Sequence, residues 1–261
     1  MHTIHKEVAM ERIGRLKPDK LGYCQPVDAP LYPRPPYYCR DVQAITAIFE
    51  TDEDAAAEMV PEGLTIPSPA IAFAIVVNYG FSTLGAYNES YICIAVSNEG
   101  EPAAYTPHVV VDSDLAMAAG REIWGCPKKL GKIWMEHTGM GIMGVVERPA
   151  GNRLCTVVVQ PEAPAEPGPT LPGFNLRVMP SPMDGEALDC AQLIEVRFTQ
   201  SFHSNWTGRA TLSFGGESTV DRWCALPIKK VLGGTYAKYD MDIPVGRVVR
   251  DYLAVPATSR G

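Results

Sequence analysis

The segment Gly120–Gly131 reads GREIWGCPKKLG, and the rest of the sequence is best interpreted outward from it. Its first half is typical of a helix that ends at Gly125, and Pro127 then requires the chain to continue in an extended conformation. Successive side chains of an extended segment point to opposite faces. Lys128 and Lys129 therefore cannot share a pocket, and we expect one to face inward and the other to face solvent.

The sequence around these two lysines is largely apolar. The apolar neighbours are Ile123, Trp124, Cys126, Leu130, Ile133 and Trp134. A lysine in an apolar pocket loses hydration of its charged form, so its pKa falls and a neutral amine becomes available near pH 7. Such an amine attacks a ketone to form a Schiff base. The alternative, which these residues taken alone favour, is two solvent-exposed lysines at the start of a strand, because lysine is almost never fully buried.

Most of the remaining sequence has the pattern of short strands. Apolar residues alternate with polar ones, or form short runs, between breaks rich in Gly, Pro, Asn and Asp. The predicted strands are Ala44–Glu50, Ala70–Tyr79, Ser90–Ser97, His108–Val111, Lys132–His137, Gly141–Glu147, Arg153–Gln160, Phe174–Met179, Ala191–Gln200, Gly208–Phe214, Leu226–Val231 and Thr235–Met241. Ten or more strands at this spacing predict a mainly β fold, either a barrel or a sandwich.

Helical patterns are few and short. Thr51–Asp54 offers an N-cap and an acidic first turn for a helix over Ala55–Val60. Asp112–Asp114 does the same for Leu115–Ile123. A third short helix is predicted near the end of the chain, over Val245–Leu253.

Two proline-rich stretches interrupt the strand pattern. Residues 1–36 are predicted to form an N-terminal arm, of which Pro26–Pro36 is an extended part laid over the surface. Residues 161–173, which include PEAPAEPGPTLP, are predicted to form an exposed loop. Strand patterns continue on both sides of that loop, so we expect one domain over residues 1–261 rather than two.

Composition and charge exclude several classes of protein. The chain has 261 residues and a formal charge of −7, whereas binding to nucleic acid or to an anionic membrane needs clustered Lys and Arg. The sequence contains no run of about 18 apolar residues, which is the length that predicts a membrane-spanning helix. The seven cysteines are scattered and include no CxxC, which indicates neither a disulfide framework nor a zinc site. With a charged start that lacks the pattern of a signal peptide, this predicts a cytoplasmic protein.

The motifs of other enzyme classes are missing or lack their structural context. Residues Gly139–Gly144 match GxGxxG, but a β run stopped by Pro149 follows where a dinucleotide site needs a helix, so we interpret them as a turn. The five histidines have no metal-ligand spacing, and there is no GxSxG serine motif. Neither a metal nor a cofactor is predicted.

The PKK segment resembles the active-site segment of the acetoacetate decarboxylase family. Further matches follow in the family's order from about Pro30 to Leu253, which is nearly the whole chain. They are Leu31–Tyr37 (LYPRPPY), Thr51-Asp52, Val60–Leu64 (VPEGL), Leu84–Ser90 (LGAYNES), Trp206–Gly208, Leu226-Pro227 and Asp251–Leu253. The resemblance implies a single-domain α+β fold that is mainly β, namely an antiparallel β-barrel or cone with a few short helices, and assembly into a homo-oligomer.

The resemblance also implies roles for individual residues. Lys128 corresponds to the Schiff-base lysine and Glu89 to an active-site glutamate, which would act as general acid and base. Four further residues are predicted to line or support the pocket, namely Lys129, Arg121, Glu122 and Trp124. Tyr252 is a candidate second proton donor if the tail folds over the pocket.

Two positions depart from the family's pattern. Val42 occupies the position where the family has an arginine, and Ala74 occupies the position of a second glutamate. Losing both removes charges that could set the protonation of Glu89 and hold a small carboxylate. We therefore predict a larger and more apolar pocket lined at these positions, which argues against acetoacetate itself as the substrate.

Three functions are compatible with these residues. The first is a Schiff-base lyase that decarboxylates a bulkier 3-oxo acid. The second is an aldolase-dehydratase or cyclodehydratase that uses the enamine of a 2-oxo acid such as pyruvate. The third is a non-catalytic β-barrel that binds a small apolar ligand, an alternative raised by the two departures.

Overall fold

A single sheet of 13 strands dominates the computed structural model, which describes residues 12–183, 185 and 187–254. The strands are β1 Tyr37–Glu50, β2 Ile71–Ser82, β3 Tyr87–Asn98, β4 Glu101–Val111, β5 Lys128–Leu130, β6 Lys132–Thr138, β7 Gly141–Glu147, β8 Arg153–Pro164, β9 Gly173–Pro180, β10 Leu188–Val196, β11 Thr199–Phe214, β12 Lys230–Ile243 and β13 Arg247–Asp251. Their alternation of buried and exposed residues is the period-two pattern of a sheet that covers a core with one face.

The strand order is β13-β10-β9-β4-β3-β2-β1-β12-β11-β8-β7-β6, and β5 pairs separately with β4. Pairing is antiparallel except where β4 meets β5 and β9. The two ends of the sheet do not pair with each other, but β6 packs against β2, β3 and β4 and the sheet curls into a cone. The predicted mainly β, barrel- or cone-like fold is confirmed.

Two α-helices interrupt the strands of the described ranges, and each begins at a capping residue that the sequence indicates. In α1, Glu53–Ala57, the Asp52 carboxylate accepts hydrogen bonds from the backbone N–H groups of Asp54 and Ala55, both at 3.1 Å. In α2, Asp114–Ala119, Ser113 Oγ accepts from the backbone of Ala116. A π-helical turn over Gly120–Trp124 extends α2 toward the PKK segment.

The predicted tail helix over Val245–Leu253 is wrong, because this segment forms strand β13. Residues Arg247–Asp251 pair with Gln192–Glu195 of β10 and complete that edge of the sheet. The two consecutive β-branched residues Val248 and Val249 favour a strand, and an open sheet edge supplies the partner that a sequence pattern does not reveal.

Other boundaries also shift. The predicted strand Leu226–Val231 is wrong in its first half, because β12 begins only at Lys230. The residues just before Leu226, Trp223–Ala225, form a 3₁₀ turn. The predicted strand Ala191–Gln200 is two strands, since β10 ends at Val196 and β11 begins at Thr199. The proline-rich loop is shorter than predicted, because β8 continues as far as Pro164.

Buried apolar residues form two clusters. The larger lies between the curled halves of the sheet and includes Phe49, Val76 and Ile92. The second includes Tyr37, Tyr79 and other residues that surround the PKK segment. The N-terminal arm contributes Tyr32 to this second cluster, and the arm's first 11 residues lie outside the described part of the chain. No helix in the described ranges is long and apolar enough to cross a membrane.

Candidate active site

Lys128 is held in place by the strand that follows the π-helical turn. In the parallel pair of β5 and β4, Lys128 lies opposite Val109. The turn ends at Gly125, which has a left-handed conformation with φ of 74°. A Cβ atom at Gly125 would lie 2.3 Å from Arg177 Cα, so only glycine allows this approach between the turn and β9.

A second glycine gives the Lys128 side chain its space. A Cβ atom at Gly120 would lie 2.6 Å from Lys128 Cε and 2.7 Å from Lys128 Cδ. The lysine side chain therefore crosses the π-helical turn directly over the bare backbone of Gly120. The two glycines of GREIWG thus position the lysine that follows them.

Glu89 reaches the same point from the other side of β4. It lies on β3 opposite Val111, two residues along β4 from the partner of Lys128. Lys128 Nζ donates a hydrogen bond to Glu89 Oε2 at 2.5 Å, and the two side chains are only 10% and 9% exposed. The structure thus brings together, in a buried ion pair, the two residues that the resemblance singles out.

The ion pair reverses the pKa direction predicted for Lys128 from the sequence. Burial is the largest single influence and acts to lower the pKa, as predicted. The charge and hydrogen bond of Glu89, with smaller contributions from Cys126 and Cys39, together outweigh it, so the pKa of Lys128 is raised above its ordinary value. The apolar neighbours of Lys128 in the sequence indicate only the effect of burial, because the carboxylate that opposes it is 39 residues away in the chain.

Lys129 faces away from Lys128, as the alternation of an extended segment predicts. Its ammonium donates to Asp221 Oδ1 at 2.9 Å on the far side of β5. Arg121 supports the segment from behind, because its guanidinium donates to the backbone carbonyl of Lys128 at 3.2 Å. Neither cation lines the cavity that contains Lys128.

The two other residues predicted from the PKK segment have different positions. Trp124 lines the cavity, and its indole N–H donates to the carbonyl of Pro244 at 3.2 Å. Glu122 lies outside the cavity wall and accepts a hydrogen bond from the Tyr32 hydroxyl, which ties the N-terminal arm to the turn. Glu122 is thus a contact between the arm and the active-site segment.

A cavity of about 370 Å³ opens beside the ion pair. Its wall is mainly apolar and includes the side chains Phe73, Ile75, Val109, Val196, Phe198 and Met241. Residues Pro169–Leu171 of the proline-rich loop form part of the wall, and Thr170 Oγ1 donates to Gln200 Oε1 at 2.9 Å. This loop therefore helps to enclose the cavity, a role that its sequence does not indicate.

Three predicted pocket residues lie elsewhere. Ala74 is fully buried on the other face of β2 from Phe73 and Ile75, so it contacts the core and does not line the cavity. Val42 is fully buried in the second apolar cluster behind the wall. Tyr252 does not cover the cavity, because β13 draws the tail to β10 and the Tyr252 hydroxyl donates to the carbonyl of Glu62 at 2.7 Å.

Three tyrosines of the cavity wall were missed by sequence reasoning. Tyr87 and Tyr91 flank Glu89 at two-residue spacing on β3, and Tyr79 lies opposite Tyr87 on β2. The rings of Tyr79 and Tyr87 stack with centroids 4.5 Å apart, and Lys128 Nζ lies 5.9 Å from the Tyr87 ring centroid. The period of two, applied outward from Glu89, would have found Tyr87 and Tyr91.

The thiols in the wall are not activated. Cys93 and Cys126 line the cavity, and burial raises the pKa of Cys93 to about 12 and that of Cys126 to about 11. In the described ranges, no group of three or more His, Cys, Asp or Glu residues could hold a metal ion. The charged groups of the described wall are thus one amine and one carboxylate, in hydrogen-bond contact.

Comparison with known proteins gives a family match over most of the chain. Residues 25–253 match the sequence profile of the family described as Acetoacetate decarboxylase (ADC). The chain belongs to the acetoacetate decarboxylase family. It is therefore an enzyme of the lyase class, which removes the non-catalytic ligand-binding barrel from the alternatives.

Individual members are similar over most of their length. The acetoacetate decarboxylase of Clostridium acetobutylicum is 29% identical over 237 residues, which cover 87% of this chain and 95% of the relative. Decarboxylase DEC1 of Cochliobolus heterostrophus is 28% identical over 233 residues, covering 85% and 92%. A solved acetoacetate decarboxylase structure superposes with a TM-score of 0.84 at 25% identity and covers 92% of this chain and all of that one.

The same fold occurs in a second solved enzyme. The enduracididine biosynthesis enzyme MppR, solved in complex with pyruvate, has a TM-score of 0.75 at 21% identity and covers 89% of this chain and 99% of its own. At this identity the similarity establishes the shared fold.

Proposed function

We propose that this acetoacetate decarboxylase family member decarboxylates a 3-oxo acid bulkier than acetoacetate, through a Schiff base on Lys128. The observation that carries the proposal is the buried pair of Lys128 Nζ and Glu89 Oε2, 2.5 Å apart, in the wall of a mainly apolar cavity. An amine in contact with a proton acceptor, and shielded from water, is the arrangement that nucleophilic attack on a ketone requires.

The first steps form the iminium. The ammonium of Lys128 passes a proton to Glu89, and the neutral amine adds to the ketone carbon of the substrate to give a carbinolamine. Glu89 returns the proton to the carbinolamine oxygen, which leaves as water. The product is a protonated imine between Lys128 and the substrate, whose carbon–nitrogen double bond accepts electrons.

Carbon–carbon bond cleavage follows. The bond to the carboxylate breaks, CO₂ leaves, and its bonding electron pair moves into the iminium to form an enamine. Glu89, left as a carboxylate when water departed, takes up a proton from solvent and delivers it to the enamine carbon, which restores the protonated imine. Water then hydrolyses that imine, which releases the ketone and regenerates Lys128 as the ammonium. Glu89 is the only described carboxylate in the cavity wall, so we assign to it the proton transfers to and from the substrate.

The size and polarity of the cavity favour a bulky substrate. About 370 Å³ bounded by Phe73, Phe198 and Met241 is far more space than a four-carbon acid fills. Burying an apolar substituent against this wall contributes about 0.8 kcal/mol per CH₂ group, a gain that acetoacetate cannot make. A substrate with a longer or aromatic acyl group therefore fits this cavity better than acetoacetate does.

Borohydride trapping tests the proposal. The protein is incubated separately with acetoacetate, 3-oxooctanoate and pyruvate, reduced, and weighed intact by mass spectrometry. We expect an adduct that lacks the mass of the carboxyl group, formed faster from 3-oxooctanoate than from acetoacetate. Lys128→Ala should abolish the adduct, and Lys129→Ala is the matched control, because Lys129 is adjacent in sequence but faces Asp221.

Two other outcomes have distinct meanings. An adduct that retains the carboxylate of pyruvate, with a new product when an aldehyde is added, supports the aldolase-dehydratase alternative. If no oxo acid gives an adduct that depends on Lys128, the assignment of this lysine as the Schiff-base residue is rejected.

We propose further that the protein forms a homo-oligomer and that it resides in a reducing compartment such as the cytoplasm. Apolar side chains on the arm, including Leu16 and Leu21, are more than half exposed and would suit a subunit contact. All seven cysteines are free, which fits a compartment that keeps thiols reduced. Light scattering after gel filtration measures the subunit number, and a monomeric mass would contradict the assembly.

A further inference from the structure

Three phenol groups in the cavity wall take no part in the internal hydrogen bonding of the described protein. No described residue forms a hydrogen bond with the hydroxyl of Tyr79, Tyr87 or Tyr91, yet none of these three oxygens is sealed from the cavity and solvent. The residues themselves are largely buried, with Tyr79 and Tyr87 only 3% and 5% exposed. Hydroxyls that open on a cavity without a protein partner are available to donate hydrogen bonds to a molecule bound there.

The three phenols are placed around the reacting groups. Tyr87 and Tyr91 lie two residues before and after Glu89 on the same face of β3, and Tyr79 stacks on Tyr87. Tyr87 also lies near the Lys128 ammonium, 5.9 Å from its ring centroid. All three tyrosines thus line the same cavity as Lys128, which a substrate joined to that lysine would occupy.

The phenols are uncharged donors. Burial, followed by the nearby negative charge of Glu89, raises the pKa of Tyr79 and Tyr87 well above the ordinary value, and burial does the same for Tyr91. Each hydroxyl therefore keeps its proton and can donate a hydrogen bond to an anion.

A 3-oxo acid brings a carboxylate that needs such donors. Among the described residues of the wall, Lys128 is the only cation, and its nitrogen is consumed in the Schiff base. Apolar Val42 stands at the family's arginine position and lies behind the wall. A carboxylate bound in this largely apolar cavity must therefore be satisfied by neutral groups.

We propose that the hydroxyls of Tyr79, Tyr87 and Tyr91 bind the substrate carboxylate and so replace a cationic side chain as the determinant of specificity for an oxo acid. This assignment rests on the proposed function, because it takes the substrate to be a 3-oxo acid attached to Lys128. Neutral donors hold the carboxylate in place without the strong attraction of a cation, which would oppose loss of CO₂.

The test compares two probes that differ only in the carboxyl group. These are 3-oxooctanoate and 2-heptanone, the ketone that its decarboxylation yields. The variants Tyr79→Phe, Tyr87→Phe and Tyr91→Phe each remove one hydroxyl and keep the ring. Tyr239→Phe is the matched control, since Tyr239 belongs to the same buried cluster but does not line the cavity.

The two probes are expected to respond differently. Borohydride trapping of 2-heptanone on Lys128 should stay within about 2-fold of the unsubstituted protein in all variants. The value of kcat/KM for 3-oxooctanoate should fall about 10- to 100-fold for a hydroxyl that binds the carboxylate, because a hydrogen bond to a charged group is being lost. The Tyr239→Phe variant should retain both activities.

Each alternative result has a defined meaning. Equal losses with both probes would overturn the assignment, since the tyrosines would then support Lys128 or contact the acyl chain. Unchanged kinetics in all three variants and in the triple variant would also overturn it. If the unsubstituted protein traps neither probe on Lys128, the proposed function itself fails, and this outcome is distinct because it precedes any tyrosine substitution.

Discussion

At the scale of single residues, the decisive feature is that Lys128 and Glu89 form one unit. Neither residue has the properties that it would have alone, because burial and ion pairing act on the lysine in opposite directions. Under the proposed mechanism, Lys128 is therefore held as an ammonium and becomes a nucleophile by proton transfer to Glu89. A lysine that was merely buried would need no such partner.

The variant Glu89→Gln separates these two effects. It keeps the shape of the side chain and removes its charge, so burial alone acts on Lys128 and the pKa of the amine should fall. The pH dependence of ketone trapping should shift to lower pH, while turnover of the oxo acid should drop about 100-fold or more because proton transfer is lost. A trapping profile that keeps its position on the pH axis would contradict the ion-pair account.

His108 is a second residue whose titration can be measured. Burial, followed by the charge of Lys129, lowers the pKa of His108 to about 4, and its Nε2 atom is buried without a partner among the described residues. An unfolded chain binds this proton near pH 6.5, so between pH 6.5 and 4 the unfolded state binds more protons and stability falls as pH falls.

The expected loss is about 3 kcal/mol of unfolding free energy across that window. Urea denaturation at several pH values measures it. In His108→Phe the dependence on pH over this window should be weaker than in the unsubstituted protein. If the two proteins show the same slope, other groups carry the acid sensitivity.

At the scale of elements, the π-helical turn and β5 are the segment that positions the lysine. Gly125 in its left-handed conformation, with the Arg177 backbone directly against it, fixes the direction in which the chain leaves the turn. Gly125→Ala should destabilise the protein by about 3 kcal/mol or more, because both backbone strain and a steric clash are introduced.

Thermal denaturation of Gly125→Ala measures this effect against a matched control. Gly139→Ala makes the same change in the turn between β6 and β7, where an added Cβ would meet nothing within 4 Å. The control should unfold within a few degrees of the unsubstituted protein. Equal stability of the two variants would show that β9 can move away from the turn.

The elements also show what sequence patterns can and cannot supply. The capped starts of α1 and α2 and most strands follow from local residue patterns, as does the opposite orientation of Lys128 and Lys129. The strand β13 does not, because a short segment with two valines becomes a strand only when β10 offers an edge. The raised pKa of Lys128 and the displaced Tyr252 depend likewise on contacts between distant parts of the chain.

At the scale of the whole molecule, all 13 strands belong to one sheet whose order alternates between early and late segments. Strand β1 pairs with β12, and β4 pairs with β9. No segment of the described chain thus holds a sheet of its own. We propose on this basis that residues 1–261 form a single domain.

Calorimetry tests whether the chain unfolds as a single domain. We expect one unfolding transition in which the van't Hoff enthalpy for the cooperative unit matches the calorimetric enthalpy. Two separable transitions, or a calorimetric enthalpy well above the van't Hoff value, would indicate independent parts. Measurements at several protein concentrations identify any contribution from subunit dissociation.

Glu89 and Lys128 lie on the two strands that flank β4, so catalytic activity depends on the alignment of both strands with β4. Their partners on that strand, Val111 and Val109, are two residues apart. A slip of one residue in either pairing would turn one of the two side chains to the opposite face of the sheet. Such a misaligned chain could retain strands and a collapsed core and still be inert. Turnover per molecule is thus a stricter assay of correct assembly than any spectroscopic measure of strand content.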